Sequence, residues 1–148
     1  MSNPVDESHR LPSCPESLPL PGPVRVLIVL AALLAAWGAT RVSAAAIFWN
    51  VLRQYPTHGG PLYPACSGAF WLLGALWAIW SLLTRRRRAW QLAAGVLGGY
   101  VVWYWLDRLL WQSPRPNWPF ALVLSLVWLF FSLGAAFHPR TRRFFTGR

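Results

Sequence analysis

Asp107 is the only acidic residue after Glu16, and it closes the apolar stretch YVVWYWLD with Arg108 beside it. A carboxylate in such a run serves an ion pair, a proton path or a ligand. Arg41 is its basic counterpart in an earlier apolar run, and Arg53, Tyr55, His58, Tyr63 and Arg115 cluster in two Pro-rich segments. An acid, an imidazole and a hydroxyl or thiol (Asp107, His58, Ser113 or Cys66) are the raw materials of acid–base and nucleophilic catalysis. Their spacing matches no nucleophile elbow, no zinc motif and no Gly-rich phosphate loop. Cys14 and Cys66 form no CxxC and stand near no histidine at metal-ligand spacing, so two unpaired thiols are expected. The LPSC of residues 11–14 follows ten polar residues, so no signal-peptide apolar core precedes it. His9, His58 and His138 lie outside the apolar runs, which excludes bis-histidine haem within a bilayer. No cofactor, metal or catalytic residue is expected.

The elements that position these residues follow from composition. The chain has 148 residues, 55% apolar and 12% charged, against roughly 25% charge in soluble domains. All fourteen basic residues are Arg, and eleven Trp crowd the ends of the apolar runs, as in an interfacial aromatic belt. Residues 1–22 hold five prolines and three of the four acids and read as a disordered tail. Four apolar runs follow, at 24–49, 68–84, 89–110 and 119–137, and residues 140–148 form a basic tail. Each run approaches the roughly 17–25 residues that cross a bilayer as a helix. Unpaired backbone groups are excluded from lipid, and the runs lack the alternation of a membrane barrel. The reading is an all-α integral membrane protein, a four-transmembrane-helix bundle over residues 23–139.

Arginines set its orientation. Arg85, Arg86, Arg87 and Arg88 fill the turn between the second and third runs. Arg140, Arg142, Arg143 and Arg148 follow the fourth, and Arg10 and Arg25 precede or open the first. These ten fall on one side of an even-span bundle, and Arg41, Arg53, Arg108 and Arg115 on the other. The positive-inside rule puts the ten, and both termini, in the cytoplasm of a bacterial-type plasma membrane. The same arginines touch anionic lipid better than nucleic acid, which is not expected as a partner despite the net charge of +10.

At 1.5 Å per residue, Asp107 lies about 28 Å above Arg88, and Arg41 about 24 Å above Arg25. Both therefore reach the outer edge of the hydrocarbon, where an Arg41–Asp107 ion pair would offset two costly charges. Arg108, one residue on, points about 100° away and is expected to snorkel to headgroups. Tyr100, Tyr104, Asp107 and Trp111 share one helical stripe facing the bundle or an outer cleft. Arg53, Tyr55, His58, Tyr104, Trp111 and Arg115 are the candidate residues of that cleft. Gly95 and Gly99 form a GxxxG, which suits packing within the bundle or a homodimer.

The expected function is a non-catalytic accessory or assembly subunit of a membrane complex, with the bilayer and other membrane subunits as partners. The alternative is binding or transport of an anionic or lipid-like ligand through the outer cleft around Arg41 and Asp107. In size the chain resembles the small multidrug-resistance transporters. That family uses a membrane-embedded glutamate in its first helix; here the first helix carries Arg41 and no acid.

Overall fold

The computed structural model describes residues 20–54, 60–111 and 117–146, and among them every regular element is helical. In chain order these are α1 (Gly22–Ile47), α2 (Trp49–Gln54), α3 (Leu62–Leu83), α4 (Ala89–Trp111), α5 (Trp118–Phe137) and α6 (Pro139–Thr146). Three of them, α1, α3 and α5, are long and apolar enough to cross a membrane. With 23 residues α4 matches them in length. Gln91, Asp107, Arg108 and its many Trp, Tyr and Gly residues make it less apolar.

The boundaries depart from the sequence reading in three places. The first apolar run is split at Phe48, and a short α2 carries the chain on to Gln54, so residues 50–54 are helical rather than loop. Helix α3 starts at Leu62, six residues before the expected 68. Pro64 sits in its first turn, where a missing N–H breaks no helical hydrogen bond. The basic segment after α5 is no extended tail: Pro139–Thr146 is a helix folded back against the bundle.

The four long helices close a ring in the order α1, α3, α4, α5, with α5 returning to α1. Successive members run in opposite directions. Gly38 of α1 meets Gly68 and Leu72 of α3, while Leu97 and Trp105 of α4 pair with Trp128 and Ser125 of α5. The tightest seam is α1 on α3. A Cβ on Gly38 would lie 2.7 Å from the Gly68 carbonyl oxygen, and one on Gly68 would lie 2.9 Å from the Gly38 carbonyl oxygen. Only glycine permits backbones this close. The GxxxG of α4 is used differently. A Cβ on Gly95 would meet open space, and one on Gly99 would reach only ordinary contact with the Trp71 ring, at 3.8 Å.

Small side chains fill the interior: Ala31, Ala35, Ala75, Ala78, Ala93, Ala135 and Ala136 are buried with Leu27, Leu34, Leu82 and Leu97. Large apolar ones face outward, among them Leu33, Trp37, Phe70, Trp77, Leu109, Phe120 and Phe130, each at least half exposed. Cross-helix ties supplement this packing. The Trp128 indole donates to the Leu97 carbonyl at 3.3 Å, and the Trp105 indole to Ser125 Oγ at 3.1 Å.

One end of the bundle gathers the arginines. The α3–α4 turn closes with Arg86 N–H on the Ser81 carbonyl and Arg85 N–H on the Leu82 carbonyl, a Schellman arrangement. It places Arg85 at φ 52°, a left-handed conformation costing a non-glycine residue about 1–3 kcal/mol. The Arg85 guanidinium lies 4.9 Å over the Phe144 ring of α6, which recovers part of that cost. Arg142 of α6 reaches Trp90 of α4 at 5.6 Å. The buried Thr141 hydroxyl donates to the Ala135 carbonyl at 2.8 Å, and Phe145 enters the core. Thus Arg85 to Arg88, Arg140, Arg142 and Arg143 share one end, with Arg25 at the start of α1.

Candidate functional site

The opposite end holds Asp107. Its position near the end of α4 turns its side chain inward, where it is buried with 7% of its surface exposed. One partner of its carboxylate is the Tyr63 hydroxyl, which donates to Oδ1 from the first turn of α3. Pro61 and Pro64 flank Tyr63 and give its segment the composition of a loop. Helical geometry from Leu62 onward is what aims it across the α3–α4 seam. Tyr63, visible in the sequence as a polar residue of a Pro-rich segment but not among the expected cleft residues, is thus a partner of the lone acid.

Arg41 comes to the same region by another contact. Its guanidinium lies 5.1 Å above the Trp103 ring, one turn below Asp107 on α4. Among the described residues no ion pair links it to Asp107. Stacking an arginine on a Trp face contributes about 0.5–2 kcal/mol, and it suits a half-buried cation whose apolar stem must stay covered.

Arg108 departs from the expected headgroup snorkel. It donates to Tyr104 Oη at 3.1 Å and to Asn117 Oδ1 at 2.8 Å, binding the end of α4 to the start of α5. The Tyr104 contact is an i, i−4 pair on one helix face, a spacing visible in the sequence. The Asn117 contact spans the intervening loop and leaves no such trace.

Beneath these polar ties lies an aromatic cluster. Trp71 meets Tyr100 edge-on with centroids 5.4 Å apart, and Trp103 at 5.7 Å. Tyr100 extends the cluster to Tyr104 and Trp128. Trp71 Nε1 is buried without a hydrogen-bond partner among the described residues, a strain of about 1–3 kcal/mol within the cluster. Beside it, between α1, α4 and α5, a cavity of about 380 Å³ is lined by Trp37, Tyr100, Tyr104, Ala121, Ser125 and Trp128. That volume falls within the range of small-molecule sites.

The expected outer cleft is brought together only in part. Tyr104 lines this cavity; Arg53 instead lies 5.5 Å over the Trp49 ring of its own α2, away from it. Trp111 ends α4, and Tyr55, His58, Ser113 and Arg115 lie outside the described residues. Cys66 is a free, exposed thiol on α3, and Cys14 also lies outside the described residues. Among the described residues no group of His, Cys, Asp and Glu could hold a metal ion. No protein-family model matches the chain, and neither a curated protein nor a solved structure does.

Proposed function

We propose that this protein is a four-span membrane bundle with its arginine-rich end in the cytoplasm, acting as a non-catalytic accessory or assembly subunit of a larger membrane complex. One observation carries the non-catalytic part: among the described residues, the buried acid and several other polar side chains of the helices are engaged as ties between helices. Asp107 takes the Tyr63 hydroxyl across α3 and α4, and Arg108, held by Tyr104 on its own helix, joins α4 to Asn117 at the start of α5. Ser125 receives Trp105, and Thr141 locks α6 to α5. Small residues inside and large apolar ones outside support membrane embedding, since lipid-facing surfaces need no polar cover and helices associate through small side chains. The outward Leu, Phe and Trp flanks would face lipid or a neighbouring subunit's helix. Affinity isolation of the full chain in gentle detergent, followed by native mass analysis, tests the subunit reading. Fixed-stoichiometry recovery of a larger membrane assembly is the expected outcome, and a chain recovered alone under conditions that preserve other complexes contradicts it.

The aromatic cavity favours a second reading, binding of an apolar or lipid-like ligand near the outer end. Four aromatic residues, Trp37, Tyr100, Tyr104 and Trp128, line the cavity beside Leu33, Leu34 and Leu124. A small molecule retained on the isolated chain, and released by Ala121→Phe, would shift the weight to this reading.

A further inference from the structure

Helix α3 packs more closely on α1, at the glycine seam, than on α4. Between α3 and α4 runs a groove of about 870 Å³ whose walls are Phe70, Leu73 and Trp77 of α3 and Leu92 and Val96 of α4. Gly74 and Gly95 remove side chains from its floor, and Gly95 faces no atom within 4 Å. Its mouth is at the arginine-rich end, where Arg88 and Gln91 line it and are exposed. Arg85, Arg86 and Arg87 precede Arg88 in the same turn.

We infer that this groove seats one acidic phospholipid of the cytoplasmic leaflet. The phosphate-bearing headgroup lies against Arg88 and Gln91, and an acyl chain lies along Gly74 and Gly95. The inference rests on the proposed embedding and orientation. Charge identifies the occupant: the groove is apolar along its length and cationic at one end, the inverse of an anionic amphiphile. Length agrees, because Arg88 to Val96 rises about 12 Å along α4, most of the depth of one leaflet. Another transmembrane helix would match the apolar walls but not the arginine at the mouth, unless it carried an acid at that depth. The site also gives a use to the glycine at position 95, where a Cβ would meet nothing in the bundle.

The test uses the full chain in nanodiscs and in detergent. Native mass analysis compares retention of phosphatidylglycerol with that of phosphatidylcholine bearing the same acyl chains. Wild type is expected to retain one phosphatidylglycerol and not the zwitterionic lipid. Arg88→Gln should weaken retention about fivefold, the contribution of one arginine near a membrane surface. Gly95→Leu should abolish it by filling the floor. Gly134→Leu, at a glycine on α5 that also faces open space, should leave it unchanged. Equal retention of both lipids, unchanged retention in Gly95→Leu, or equal loss in Gly134→Leu each overturns the site. A wild-type dimer that Gly95→Leu dissolves would make the groove a seat for a second copy and overturn it too. Alkaline carbonate washing separates the two layers of the argument. A chain leaving the membrane fraction sinks the embedding and this inference together, whereas an embedded chain holding no acidic lipid sinks this inference alone.

Discussion

Tyr63→Phe removes one hydroxyl and almost nothing else, and it addresses the strut reading at its deepest point. Asp107 is a buried residue, 7% exposed, so water is a poor substitute for the lost donor. Hydrogen bonds to charged groups contribute about 1.5–3 kcal/mol in soluble proteins. Interhelical ones in a bilayer average about 0.6 and reach about 1.7 kcal/mol, because the separated helices find other partners. Tyr63 is itself only half-buried, which favours the lower range, and a loss of about 0.6–1.7 kcal/mol is expected. Asp107→Asn keeps an acceptor oxygen of the same shape and should lose less. The double variant should fall short of additivity by about 0.5–1 kcal/mol, as for residues sharing a contact. Reversible unfolding of the full chain in mixed micelles of rising denaturing-detergent fraction measures all three. Tyr63→Phe within 0.3 kcal/mol of wild type, or strict additivity with Asp107→Asn, would refute the strut, since directly bonded neighbours couple by more than that.

Other expected outcomes are simpler to read. Gly38→Ala drives a methyl to 2.7 Å from a backbone oxygen and should destabilise by about 2 kcal/mol or more, whereas Gly95→Ala should be neutral or gain up to about 1 kcal/mol from lower chain entropy. Unfolding midpoints of the two variants should therefore move in opposite directions or by very different amounts. Arg41→Gln and Trp103→Leu should couple by about 0.5–2 kcal/mol in a double-mutant cycle, and independent effects would remove the stacking contact. Phe145→Ala should release α6 from the core, seen as faster trypsin cleavage at Arg140, Arg142 and Arg143 with the remaining helices protected.

What the sequence makes legible is set by length scale. Runs of apolar residues give the four long helices to within a few positions, because each is a local pattern. The α3 start fails for a local reason: Pro61 and Pro64 look like loop chemistry, yet a proline in the first turn breaks nothing. That error hides Tyr63 as a partner of Asp107, so Arg41 becomes the natural candidate by depth alone. The stacking of Arg41 on Trp103 depends on the rotation of two helices about their axes, which depth does not fix. Glycine usage shows the same limit. Gly95 and Gly99 carry the familiar spacing, but the close seam forms at Gly38 and Gly68, single glycines whose facing is decided by the whole ring. In α6 the signal was present. Thr141, Phe144 and Phe145 fall on one helical face, and the arginines between them outweigh it in composition.

The account stands most directly on four crossings with the arginines inside. Single cysteines replacing Arg53, Arg86 or Arg142 in a background lacking Cys14 and Cys66 can be probed on intact cells with a membrane-impermeant maleimide. All three positions are exposed side chains of the described structure. The account predicts labelling at position 53 in intact cells, and at 86 and 142 only after permeabilisation. Labelling of position 142 from outside, with 86 shielded, would mean that α4 does not cross; the inverse pattern, or no difference among the three, would contradict the orientation or the embedding itself.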